Sequence, residues 1–230
     1  MRKLGLIGGM SWFSTRTYYE HINRGVQARI GKLASAPLSI ESLDSSDLLR
    51  LSTAEDWKRA GDVLADSARR LEAAGATAVV IGSNAMHKVY DTVARAVSAP
   101  VLHIAECVGE RMAKDGTRKA ALLGTRNVMV ESFYRQKLIA RDIELLPPEM
   151  AFVDTLDRII YDELIMGKAT RQSERELKTI ITNLEQDGAD AIVLGCTELE
   201  MVVDVDANVL PIYDCTRIHA DAAVDWILAG

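Results

Sequence analysis

Apolar and polar positions change period along the chain in a regular order. The run Leu4 to Ile7, closed by Gly8-Gly9, predicts a buried strand from Lys3 to Gly8. A helix is expected next, capped at Ser14-Thr15, running to about Ile30 and stopped by Gly31. Pro37 to Asp44 predicts a second strand, and 44–51 a loop with a short helix. From Thr53 to Ala74 the apolar residues Trp57, Ala60, Leu64, Ala68 and Leu71 recur at helical spacing, and Gly75 ends that helix. A strand from Ala78 to Gly82, a helix from Ala85 to Val97 and a strand from Val101 to Ile104 complete the set. Strands alternating with helices predict a parallel sheet with helices on its faces.

The same order then begins again. Lys119 to Thr125 parallels Lys3 to Gly9, Gly188 to Cys196 parallels Gly75 to Ser83, and Val209 to Asp214 parallels Val101 to Glu106. Between them lie a helix at about 128–141, a strand at 143–146 stopped by Pro147-Pro148, and helices at 151–166 and 170–186. The matches keep one order at offsets of 116, 113 and 108 positions (Lys3 to Lys119, Gly75 to Gly188, Val101 to Val209), which points to an internal duplication. The expected fold class is α/β, with two similar parallel-sheet domains related by a pseudo-twofold axis and the active site in the cleft between them. The expected boundaries are 1–105, completed by 209–230, and 106–208.

Composition narrows the class. A chain of 230 residues with 48% apolar content can bury one large core or two smaller ones. A net charge of −6 with both signs dispersed gives no basic stripe for nucleic acid or an anionic membrane. The N-terminal apolar run is too short for a signal-peptide core, and no stretch approaches a membrane span, so a cytoplasmic enzyme is expected. Three cysteines without CxxC spacing argue against a disulfide framework or zinc knuckle, and the four histidines have no metal spacing. No metal is expected. A nucleotide reading of Leu4 to Gly9 is weak because GxGxxG is absent.

Ligands of open α/β sheets bind beyond the carboxyl ends of the strands. That rule selects Gly8 to Ser11, Asp44 to Ser46, Ser83 to Ala85, Thr125-Arg126 and Cys196 to Glu198. Cys196 stands at a strand-to-helix turn, where free backbone N–H groups favour a thiolate, and is the candidate base for removing a proton from a carbon next to a carboxylate. The same N–H groups suit a substrate carboxylate. Cys107 and Cys215 follow strands without the Gly-small-polar turn and are read as structural thiols.

Gly8-Gly9-Met10-Ser11-Trp12-Phe13-Ser14-Thr15, Ser83-Asn84-Ala85-Met86-His87-Lys88 and Gly195-Cys196-Thr197-Glu198 together resemble the aspartate/glutamate racemase family over essentially the whole chain. The resemblance implies a two-domain α/β enzyme, usually a homodimer, that inverts the α-carbon of a small-molecule amino-acid substrate without pyridoxal phosphate or another cofactor. It implies Ser83 and Cys196 as the two acid/base positions, with Met10, Ser52, Asn84, Ala85, Thr125, Thr197 and Glu198 toward the substrate. The family's second-half cysteine acts on the L-enantiomer, which implies an L-preferring aspartate/glutamate racemase.

Several positions depart from the family pattern. Ser83 stands where many members have Cys and some have Thr, Phe13 replaces a Glu, and Ala85 replaces a Thr. Aspartate racemases carry a basic residue just before the position of Gly167, where this chain has Met166; Arg126 or Lys168 would have to receive a distal carboxylate. A serine hydroxyl is a poor base near neutral pH unless a neighbour activates it. His87, four residues on, is the one candidate for that, but its membership of the family's Met-His-Lys segment is the stronger account of it. Ser83 is either a natural variant or an engineered replacement of Cys; the differences at Gly82 and Ala85 favour the first. The alternatives are a single-thiol decarboxylase or isomerase on the same scaffold, and a non-catalytic small-molecule binding protein.

Overall fold

Two separate four-stranded sheets, each wholly parallel, carry the chain, with strand orders β2-β1-β3-β4 and β6-β5-β7-β8. The identical order, with β5 to β8 in the places of β1 to β4, is the duplication expected from the sequence. The structure is a computed structural model that describes residues 1–46, 48, 50–205 and 207–229. Asp47 and Leu49, in the loop and short helix expected over 44–51, lie outside the described residues.

The first unit comprises Met1–Ile104 and His219–Gly230. It contains β1 (Leu4–Gly8), α1 (Trp12–Ile30), β2 (Leu38–Ser42), α2 (Ala54–Ala73), β3 (Ala78–Ile81), a 3-10 turn (Ala85–Val89), α3 (Tyr90–Ala94) and β4 (Val101–Leu102). Alternation along the strands builds its two cores. Ile7, Val79 and Ile81 pack with Leu64, Ala68 and Leu71 of α2, while Leu4, Leu6, Ala78 and Val80 pack with Tyr18, Ile22 and Val26 of α1 and with Val224 and Ile227. The sheet is therefore covered on both faces, as parallel sheets require.

Ala105–Ile218 forms the second unit. The elements from here on are α4 (Ile104–Asp115), β5 (Lys119–Gly124), α5 (Arg126–Val130), α6 (Ser132–Ile139), β6 (Glu144–Leu145), α7 (Met150–Asp162), a 3-10 turn (Leu164–Met166), α8 (Arg171–Gln186), β7 (Ala191–Gly195), a 3-10 turn (Thr197–Met201), β8 (Ile212–Asp214) and α9 (Cys215–Leu228), which passes from this unit into the first at His219. Ala121, Leu123, Ile192 and Leu194 meet Val153, Leu156 and Ile160 of α7 and Leu177 and Ile181 of α8.

Local differences from the sequence expectation have local causes. The cap of α1 is Ser11, whose side chain accepts from the Ser14 N–H, so the helix begins three residues before the expected Ser14-Thr15. Thr15 is instead used backwards, its Oγ1 accepting the Gly9 N–H at 2.8 Å where Gly9 takes φ +82. α2 begins at the expected place, where Thr53 and Asp56 close a reciprocal capping box. The helix expected at 128–141 is broken at Glu131, whose extended backbone (φ −79, ψ 157) separates α5 from α6. Ile104, Ala105, Val108 and Met112, all buried, show the helical spacing of α4, which the strand-like look of Val101 to Glu106 conceals. The last strand pairs with β7 (Ile192 with Ile212) and stays in the second sheet, whereas 219–229 joins the first unit. The sequence expectation divided the chain at 209, before that strand.

Candidate active site

In the first unit, neighbouring strands β1 and β3 end at Gly8 and Ile81, so Met10 and the Ser83-Asn84-Ala85 turn leave the same sheet edge. Met10 and Asn84 are buried, whereas Ser83 and Ala85 are partly exposed. Ser52 is exposed ahead of α2, its N–H directed to the Asp56 carboxylate at 3.4 Å as part of that helix's N-terminus.

The segment after Ser83 is not the α-helix the spacing predicts but a 3-10 turn over Ala85–Val89. The reason is a side chain. In an α-turn the Ser83 carbonyl would accept the His87 N–H. Here that carbonyl accepts from Nδ1 of the His87 ring at 2.9 Å, and the His87 N–H goes to the Asn84 carbonyl at 3.2 Å. Nε2 of the same ring accepts the N–H of Ile104 at 3.2 Å. A carbonyl only accepts and an amide N–H only donates, so His87 is neutral with its proton on Nδ1. The ring thus holds the Ser83 backbone, not its hydroxyl, in keeping with the stronger of the two readings of His87.

Below this turn lie two further buried histidines. The His103 ring is 4.7 Å from that of His87, and the His219 ring 5.8 Å. His219 Nε2 donates to the Leu102 carbonyl at 3.1 Å, which leaves Nδ1 to accept from the Tyr18 hydroxyl at 2.8 Å. Burial pushes the imidazolium pKa of His219 down to about 3.

In the second unit β5 and β7 run in register to Gly124 and Gly195, which places Thr125 and Cys196 on adjacent strand ends. Both glycines are needed there: a Cβ on Gly124 would stand 2.8 Å from the Gly195 carbonyl oxygen. Cys196 is buried, and its Sγ–H donates to Oε2 of Glu198, also buried, at 3.1 Å. The Thr197 and Thr216 hydroxyls share a hydrogen bond of 2.9 Å. Thr125 occupies the N-cap of α5, but Asp157 takes the Arg126 N–H, and Thr125 Oγ1 is buried without a hydrogen-bond partner among the described residues. A buried hydroxyl left so is available to a ligand oxygen.

The lowered thiol pKa expected at Cys196 is reversed. Burial raises it well above the ordinary thiol value, and the Glu198 charge and hydrogen bond raise it further. Backbone N–H groups of Glu198 and Leu199 do lower it, as the turn predicts, but they are outweighed. The other thiols are more plainly structural. Cys215 accepts from the Tyr134 hydroxyl at 2.9 Å in the core, and burial pushes Cys107 up to about 12.

Sequence reasoning overlooked Thr216 and Asp214. The Asp214 Oδ1 accepts the Thr216 and Arg217 N–H groups at 2.8 and 3.1 Å, while Oδ2 is buried without a partner among the described residues. An Asp-x-Thr ending the last strand was the available signal. Arg126, the expected receiver of a distal carboxylate, pairs with Asp154. Among the described residues no helix is long and apolar enough to cross a membrane, and no group of His, Cys, Asp and Glu has metal-binding geometry.

Comparison with known proteins agrees with this geometry. The family model for Asp/Glu/hydantoin racemases matches residues 7–223. The chain is 39% identical to a putative Asp/Glu racemase from Yersinia pestis, with a TM-score of 0.91 over 99% of this chain and 100% of the other. An aspartate racemase homologue from Pyrococcus horikoshii is 30% identical, with a TM-score of 0.85 over 99% of each. The broad-specificity amino-acid racemase RacX of Bacillus subtilis is 25% identical over 164 residues, 71% of this chain and 70% of RacX. Two parallel sheets with the same strand order, a Gly-Cys-Thr-Glu turn ending one of the central strands and a family match over nearly the whole length establish that this chain belongs to the Asp/Glu/hydantoin racemase family, as an amino-acid racemase.

Proposed function

We propose that the protein racemises aspartate or glutamate without a cofactor, that the L-enantiomer is the better substrate, and that Cys196 removes its α-proton. The observation that carries this is the buried Cys196–Glu198 pair, in which a thiol already donates to a carboxylate at 3.1 Å. In the free protein, burial and the Glu198 charge keep the thiol protonated. Moving that proton along the existing hydrogen bond to Oε2 leaves a thiolate beside a neutral acid. The repulsion that disfavoured the thiolate then disappears with the transfer. The thiolate takes the α-proton, the carbanion takes a proton from the Ser83 hydroxyl or a water it positions, and the oxyanion left there is reprotonated through solvent as Glu198 gives up the proton it received. A hydroxyl is a weaker acid/base group than a thiol in this role, which supports the preference for the L-enantiomer.

Substrate-carboxylate contacts fall, in this reading, to the backbone near Met10 and to Asn84, Ala85, Thr125 and Thr197. The unpartnered Thr125 hydroxyl supports that assignment most directly. The protein acts as a homodimer, by analogy with the family, and its cysteine usage fits the cytoplasm. One observation favours a second reading of the side-chain preference: Arg126 is paired with Asp154, so a distal carboxylate would have to compete for it. A wider side-chain range, like that named for RacX, fits this arrangement.

A panel of L- and D-amino acids in heavy water, without added cofactor, tests the proposal. Loss of the α-proton signal from L-aspartate or L-glutamate and appearance of the D-enantiomer are expected, both abolished in Cys196→Ser and retained in Cys107→Ser and Cys215→Ser. No α-proton loss from any L-amino acid would overturn it.

A further inference from the structure

We infer that His87 is a positioning residue for inversion, fixing the Ser83 hydroxyl through the carbonyl of Ser83 itself. The inference rests on the reading of Ser83 as the group that returns the proton. It adds a specific tether. Ser83 leaves β3 with its own side chain partly exposed, and its direction is set by the backbone that carries it. The His87 Nδ1–H clamps the Ser83 carbonyl at 2.9 Å, and Nε2 is held by the Ile104 N–H at 3.2 Å. The ring thus ties the Ser83 turn to the first residue of α4, just beyond β4.

The clamp is built into the fold rather than added to its surface. His87, His103 and His219 are all buried, and His219 holds the end of β4 through the Leu102 carbonyl. The Tyr18 hydroxyl in turn donates to His219. Because the imidazole takes the carbonyl an α-turn would use, the turn closes as 3-10 through the His87 N–H and Asn84 carbonyl. An unclamped segment would relax toward the α-turn that its sequence spacing favours. That change would re-aim the Ser83 carbonyl and, with it, the Cα–Cβ bond of Ser83. Proton delivery to carbon tolerates such a displacement poorly, at a cost of up to about 100-fold for 1 Å.

Two amide substitutions separate the two ring nitrogens. In His87→Asn the amide N–H stands near the Nδ1 position and keeps the bond to Ser83, whereas in His87→Gln the amide reaches the Nε2 position and loses it. In heavy water, α-proton loss from the L-substrate reports the Cys196 step, and appearance of the D-product reports delivery by Ser83. His87→Gln is expected to lower the ratio of inversion to exchange roughly tenfold or more, with L-exchange changed by less than about twofold, while His87→Asn keeps the ratio. An unchanged ratio in folded His87→Gln overturns the inference, and so does a parallel fall of exchange and inversion.

A measurement on the unsubstituted protein stands independently of how the variants fold. Nitrogen-15 spectra of its histidines should show His87 neutral with the proton on Nδ1 and His219 neutral with the proton on Nε2. An Nε2–H tautomer or an imidazolium at His87 near neutral pH would overturn the clamp. Absence of any α-proton exchange in the unsubstituted protein would instead remove the racemase reading of Ser83, leaving the tautomer result to be judged on its own.

Discussion

Cys196 and Glu198 are held as a buried thiol–carboxylate pair at 3.1 Å, two residues apart in one turn. The carboxylate raises the thiol pKa and also accepts its hydrogen bond, so it opposes ionisation of the free thiol while offering the proton a destination.

Glu198→Gln should therefore move two observables in opposite directions. Without the negative charge the thiol pKa falls, so alkylation of Cys196 in a Cys107→Ser, Cys215→Ser background should show its inflection at lower pH. Racemisation should nonetheless drop by about 10²-fold, because the proposed proton acceptor is gone. Slower alkylation at pH 8 in the variant would contradict the electrostatic cause given for the raised pKa.

Ser83→Cys places a better acid/base group on a backbone that is already clamped. The rate on D-amino acids is expected to rise roughly tenfold or more relative to the L-rate, read from initial rates on each pure enantiomer. Rates as unequal as before would remove the explanation offered for the proposed L-preference.

His219 supplies a pH dependence of stability with a definite sign. Its pKa is about 3 in the fold against 6.5 ordinarily, so the unfolded chain binds more protons between those values. The contribution is fully present above pH 6.5 and is lost as pH falls toward 3, by an amount on the order of 4 kcal/mol. His219→Gln retains a donor for the Leu102 carbonyl and removes the titration. Its urea-unfolding free energy should decline about one proton less steeply between pH 6 and pH 4 than that of the unsubstituted protein.

Gly124→Ala tests how tightly the two strand ends of the second unit are joined. The added Cβ would stand 2.8 Å from the Gly195 carbonyl, a backbone atom that cannot swing aside. A loss of about 1–3 kcal/mol is expected from chemical denaturation. A neutral effect would show that the β5–β7 edge yields more readily than its geometry implies.

What the sequence could show depended on where the determining contacts lie. β1, β3, β5 and β7 are apolar runs ending in glycine or just before it, with their partners in adjacent strands, so the run itself announced them. The Ser83 and Cys196 turns were legible for the same reason. The 3-10 form of the segment after Ser83 was not, because it follows from an imidazole reaching back to a carbonyl four residues earlier. Nor was the raised Cys196 pKa: the turn's N–H groups can be read from the Gly-Cys-Thr-Glu pattern, but the depth of burial and the fold-back of Glu198 cannot. Arg126 looked free in the sequence because its partner Asp154 lies 28 positions away on α7.

The placement of α9 bears on the order in which the protein can mature. Leu4, Leu6, Ala78 and Val80 of the first sheet share a core with Ala220, Ala223, Val224 and Ile227, residues made more than a hundred positions after β4. During synthesis that face of the sheet is covered by α1 alone, with Tyr18, Ile22 and Val26, until the ribosome has delivered the whole second unit. The second unit, whose strands are contiguous in sequence, needs no such wait. A released chain ending at Ile218 should accordingly hold a folded second sheet while its first-made half remains the more open to proteolysis.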